Sequence, residues 1–190
     1  VTTAQSGGVS RKLATGLSWF SKFGVIPQRL ILFPFETEFG EDLLNGNYDP
    51  TDFSSDRVDM GAVKLVADGS IQGFTGYLSA PYYSTYHGDA NYRGYPAIAR
   101  DKLFEKVAAL HRAGYQIAIH GNGDQAIEDI LDAFEAAQKA YPVDDTRMIL
   151  IHSQMARADQ IARMQQLGVT PSFFTAHTWY WGDRHRSIFL

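Results

Sequence analysis

Lys64, Asp68, His120 and His152 are the side chains whose types and positions suggest chemistry. His120 and His152 each close a short apolar run and precede a turn, in His120-Gly121-Asn122-Gly123-Asp124 and His152-Ser153-Gln154. A neutral imidazole is the commonest nitrogen ligand for zinc and similar cations, and two at adjacent strand ends can point at one ion. A lone strand-end histidine is more often a hydrogen-bonded structural residue; two in matching positions favour a site. Lys64 is the odder residue, an ammonium on an otherwise apolar strand. Burial lowers a lysine's pKa and releases the neutral amine for covalent chemistry. That chemistry is either a Schiff base with a carbonyl substrate or addition of CO2 to give a carbamate whose two oxygens bridge metal ions. The plain alternative is an ion pair with Asp68 on the same strand face. Asp124 reads as a helix N-cap rather than a catalytic group.

The elements that must hold these residues repeat one pattern, a helix-period stretch followed by a β-rich run. Arg100 to Ala113, Asp124 to Ala140 and Ala158 to Leu167 have helical spacing of their apolar residues. They lead into strands expected near 115–120, 147–152 and 169–175. Upstream, Ser10 is placed to cap a helix, and further strands are expected near 1–5, 30–35 and 62–68. Alternating strands and helices call for a parallel sheet covered by helices. Period-2 geometry puts Ala62, Lys64, Val66 and Asp68 on one face, then Gln116, Ala118 and His120, then Met148, Leu150 and His152. Ionisable groups thus converge at strand ends, which favours a barrel of the TIM type over an open sheet. Six strands and 190 residues fall short of a complete (β/α)8 barrel, which needs about 250. The expectation is one catalytic domain over 1–190, an incomplete fragment of the barrel.

From Gly69 to about Ala99 no periodic element is visible, yet six of the ten tyrosines lie there, Tyr83 among them. Loops beyond about 12–15 residues in compact domains are usually functional, and aromatic richness argues against disorder. This one is expected to form a pocket wall or lid.

Composition narrows the function. The chain is 45% hydrophobic with a net charge of -4 and no Lys/Arg block, which argues against nucleic acid or a membrane as partner. No apolar run is long enough to span a bilayer. The absence of cysteine removes thiolate metal sites, disulfides and Cys nucleophiles. A small-molecule substrate, a cytoplasmic setting and an oligomeric state left open complete the expectation.

Three segments in order, Val63-Lys64-Leu65-Val66-Ala67-Asp68-Gly69-Ser70, Ile119-His120-Gly121-Asn122-Gly123-Asp124-Gln125-Ala126 and Ile151-His152-Ser153-Gln154, resemble the amidohydrolase superfamily. They are most similar to its amidohydrolase 3 branch, which includes N-substituted formamide deformylase. His177-Thr178-Trp179-Tyr180-Trp181-Gly182-Asp183-Arg184-His185 resembles the segment after that branch's seventh strand. The resemblance implies a metal-dependent hydrolase of non-peptide C–N bonds, working through activated water with one or two divalent ions, zinc first among them. It implies that His120 and His152 are the ligands of strands five and six and that Lys64 is the carboxylated bridging lysine. His177, Asp68, Tyr83 and Trp181 are the expected substrate contacts. The family's HxH pair on strand one and Asp on strand eight have no match here, so the chain is expected to hold strands two to seven, without the small β-domain. Two rival readings remain: a metal-free Schiff-base lyase or aldolase using Lys64, and a non-catalytic ligand-binding module.

Overall fold

A computed structural model describes residues 2–189. Among the described residues there are seven strands and six α-helices, and a helix follows every strand except the third, which runs directly into the fourth. The first three strands with their helices are β1 (Thr3–Val9), α1 (Arg11–Lys22), β2 (Arg29–Pro34), α2 (Glu36–Asn45) and β3 (Val58–Met60). Then follow β4 (Val63–Val66), α3 (Arg100–Arg112), β5 (Ile117–Gly121), α4 (Asp124–Ala140), β6 (Ile149–His152), α5 (Ala158–Leu167), β7 (Thr170–Phe173) and α6 (Ala176–Arg184). A π-helical turn over His185–Phe189 ends the described chain. Among the described residues no helix is long and apolar enough to cross a membrane.

All strand pairs are parallel, in two sheets ordered β1-β2-β3 and β4-β5-β6-β7. β3 and β4 are nearly one bent strand that changes partner at Gly61. The Gly61 N–H still donates to Leu32 O at 2.7 Å, and two residues later Val63 N–H donates to Gln116 O at 2.8 Å. A Cβ at Gly61 would come within 2.8 Å of Ile31 and Phe33 carbons, so only glycine fits this crease. A parallel bridge from Phe35 to Lys64 ties the two sheets together. The strand expected over 62–68 is observed as β4, preceded across the crease by the short β3. Among the described residues β1 and β7 are each paired on one side only. The observed architecture is an α/β fold with parallel sheets, and these residues do not form a closed ring.

The helices cover one side of the sheets. Val63, Leu65, Ile117, Ile119 and Leu150 pack with Leu103, Val107, Ile127, Ile130 and Phe134 in the main core. Burying a side chain of this kind stabilises by about 1.5–3 kcal/mol. The other side carries a smaller cluster of Phe33, Ala62 and Ala118 with Ile149 and Ile151 against it. α4 and α5 have the limits that the apolar spacing predicts, and Ser10 Oγ accepts Leu13 N–H as a cap. α2 has weaker periodicity, with Phe39 and Leu43 as its large buried residues and a glycine in mid-helix.

Candidate active site

β4, β5 and β6 lie side by side and carry Lys64, His120 and His152. Val66 is in register with His120, and His120 with Ile151. Neighbours in register share a sheet face, so Ala118, His120, Ile149 and Ile151 belong to the side away from the helices. This corrects the expected face of β6: Met148 and Leu150 point into the helix-covered core, and simple alternation would send His152 there too. The backbone prevents it. His152 has φ of 73° and Ser153 φ of 50°, two successive non-glycine residues in the left-handed region. Such a conformation is sterically costly and recurs at functional positions. It carries the His152 ring across to His120, with centroids 4.7 Å apart. Ser153 N–H to Gly121 O at 3.1 Å and Met155 N–H to Asn122 O at 2.9 Å fix this corner to the end of β5.

His120 is oriented from its far side. Its Nε2 lies 2.9 Å from Gly69 O, an acceptor only, so Nε2 carries the proton and Nδ1 is left as a free lone pair. Asn122 Nδ2 donates to the same carbonyl at 2.7 Å. A backbone carbonyl on one ring nitrogen is the usual outer support of a metal-ligating histidine. Burial lowers the His120 pKa below the ordinary imidazole value. Burial, then His120, then Lys64 lower His152 to about 4. Both rings are therefore neutral near pH 7, the form that coordinates a metal.

Lys64 is only 5% exposed, and burial pulls its pKa down to about 8. It forms no ion pair with Asp68. The Asp68 carboxylate turns away to accept N–H bonds from Tyr77, Asn122 and Gly123 at 2.9, 2.9 and 2.7 Å. Asp68 is fully buried; desolvation raises its pKa to about 6 against those three bonds. The structure places it beneath the site, where it joins the turn after β5 to the long loop.

That loop, over 69–99, contains one short helical turn at Ile71–Gly73 and no strand. Tyr82 and Tyr92 donate their hydroxyls to Gly76 O and Phe74 O and pack with Ile71 and Phe189. Asp124 does not cap its own helix, whose N-cap is Gly123. Its carboxylate instead accepts Ser79 N–H at 2.9 Å and the Ser79 hydroxyl, and pairs with Arg157. Tyr77 O sits so close to Gly123 that a Cβ there would lie 1.9 Å away. The loop is clamped to the N-terminus of α4.

A cavity of about 520 Å³ opens over His120 and His152, with Ser70 and Gln72 of the loop in one wall. His177 and Trp181 also line it, as do Arg184 and His185, which belong to the same segment but carried no expected role. Tyr83 does not: it is 73% exposed, and its backbone N–H joins Phe189 O at the surface. Asn122 stands between the quoted histidine and aspartate of its own motif, yet nothing in its type foretold a bond to Gly69.

The donor set fits part of a divalent-metal site. His120 Nδ1 and the His152 ring make no hydrogen bond among the described residues, and the Lys64 amine is unpaired. No cluster of three or more His, Cys, Asp or Glu side chains able to hold a metal occurs among them. Among the described residues Lys64, whose charge adds to burial in lowering the pKa of both histidines, is the neighbouring group that could add a third donor.

Comparison with known proteins adds independent findings. Residues 24–187 match a family model described as "Amidohydrolase family". Protein LONG AFTER FAR-RED 3 of Arabidopsis thaliana is 32% identical over 118 residues, covering 62% of this chain and 20% of that protein. N-substituted formamide deformylase of Arthrobacter pascens is 27% identical over 123 residues, covering 65% and 21%. The chain thus aligns with about a fifth of the length of these curated relatives. The crystal structure of an uncharacterized metal-dependent hydrolase from Pyrococcus furiosus superposes with a TM-score of 0.74 at 24% identity, over 94% of this chain and 35% of that one.

Proposed function

The chain belongs to the amidohydrolase family, and from this we propose that it supplies part of a metal-dependent active site that hydrolyses a non-peptide C–N bond. The observation that carries the proposal is the meeting of His120 and His152, with rings 4.7 Å apart and His120 tethered through Nε2 to Gly69 O. In this reading His120 Nδ1, His152 and a carboxylated Lys64 hold one or two divalent ions, zinc first among them. A bound ion polarises the amide carbonyl and makes water acidic enough to react near neutral pH.

The chain's own residues prepare that chemistry. Burial keeps both imidazoles neutral and holds the Lys64 amine near the point where it can add CO2. His177 and Trp181 enclose the cavity above the histidines and position the substrate there. Water's oxygen joins the carbonyl carbon, the C–N bond breaks toward nitrogen, and the amine leaves with a proton. Among the described residues no carboxylate lines the cavity, and in this reading a carboxylate outside them carries the proton to the leaving amine. The same reading makes the run of parallel strands an arc of a (β/α)8 barrel completed by the rest of a longer protein. The lowered pKa of Lys64 also supports the Schiff-base lyase, whose mark is borohydride trapping of a carbonyl compound at Lys64.

The test is elemental analysis of the full-length protein. His120→Ala and His152→Ala should each lose bound metal and most amide hydrolysis, with helix content unchanged by circular dichroism. Wild-type metal stoichiometry in both variants would reject the assignment.

A further inference from the structure

Among the described residues the wall of the cavity above the two histidines contains no Asp or Glu, but it contains Arg184. Elsewhere arginines near carboxylates are heavily paired: Arg157 holds Asp124, Glu128 and Asp159, and Arg163 holds Glu128, Asp132 and Glu135. The Arg184 guanidinium makes no ion pair or side-chain hydrogen bond with any described residue. Around it the wall is aromatic, with Phe174 and Trp181 on either side of His177 at centroid distances of 4.6 and 5.8 Å. Trp181 is 38% exposed and Phe174 is exposed as well, although both face a cavity. Aromatic surface and a free cation together recognise a ligand that is apolar in its body and anionic at one end.

We propose that this cavity takes amides carrying an aromatic group and a carboxylate, the ring lying against Phe174 and Trp181 and the carboxylate on Arg184. The proposal names the substrate class of the hydrolase reading above and rests on it for the reaction. A single guanidinium fork matches one carboxylate, whereas a dianion would call for a second cation. Hydrolysis of such a substrate adds water across the C–N bond and yields a carboxylic acid and an amine.

Binding tests this without turnover. The probe is 4-oxo-4-phenylbutanoate, in which CH2 replaces the amide N–H of N-benzoylglycine so that nothing can be hydrolysed. Its neutral partner is 1-phenylpentane-1,4-dione, in which a methyl ketone replaces the carboxylate and again nothing can be hydrolysed. Calorimetric titration of the full-length protein should show the acid binding about tenfold more tightly than the dione, the effect expected of a charge-assisted pair at a partly exposed site. Arg184→Met should reduce that preference to within about twofold, and Arg184→Lys should restore part of it. Trp181→Ala should weaken both probes alike. Because the Arg184 side chain contacts no described residue through a polar bond, its replacement leaves the fold intact, which circular dichroism checks. Equal affinities in the wild type, or no binding of either probe, overturns the proposal. So does a preference that survives Arg184→Met, since Lys64 or a metal would then be holding the carboxylate. Selective binding with no hydrolysis of any aromatic amide would instead count against the hydrolase reading alone.

Discussion

Lys64 separates the rival chemistries at the scale of one residue. A lysine serving only as a positive charge is replaceable by arginine. A carbamate is not, because it needs a neutral amine and the guanidinium remains charged at any accessible pH. Lys64→Arg should therefore lose metal and turnover, and Lys64→Ala should recover some of both with added acetate or propionate. Retained activity in Lys64→Arg removes this residue from the site. The same amine predicts a pH effect in metal-free, CO2-free protein. Its folded pKa of about 8 lies below the ordinary 10.5, so between these values the unfolded chain binds more protons. Stability from this group is complete above about pH 10.5 and is lost as pH falls toward 8. Thermal melts should show wild type gaining stability over that window relative to Lys64→Met, whose profile lacks the rise. Lys64 and the two histidines were legible in the sequence because a cation on an apolar strand and imidazoles before turns are anomalies of type. The Gly69 carbonyl that orients His120 was not, since any residue has one.

β6 shows where the scale of the element adds what residue types cannot. Its alternation predicts that His152 shares a face with Leu150, and the structure places Leu150 in the helix-side core while His152 meets His120. The left-handed pair His152 and Ser153 accounts for the difference, and no turn residue such as glycine or asparagine signals it. Ser153→Gly should relieve the backbone and keep metal binding. Ser153→Val, branched at Cβ, should cost about 1–2 kcal/mol and also weaken metal binding by returning His152 toward the core. Equal effects of the two substitutions on metal affinity would show that the corner does not steer His152. α3, α4 and α5 were readable because their buried stripes recur at helical spacing. α2 was not, because it packs few large residues. β3 was not read either, because Val58-Asp59-Met60 is only three residues long with a charge at its centre.

For the whole molecule, the two histidines end β5 and β6, the strands bonded on both sides in their sheet. Ile117, Ile119 and Leu150 there are wholly buried, whereas β1 alternates exposed with half-buried residues up to Val9, β7 is mostly exposed, and both are bonded on one side among the described residues. Hydrogen exchange translates that placement into lifetimes. Amides of β5 and β6 should exchange only through global unfolding, and those of β1 and β7 through local opening orders of magnitude sooner. The order should be the same whether or not metal has been stripped by a chelator. If chelation instead released the amides of Ile119 and Leu150 to rapid exchange, the ion would be organising these strands. A corner whose protection outlasts its metal would greet each incoming ion with its geometry already set, so that reloading the stripped protein would be limited by the ion's arrival rather than by refolding.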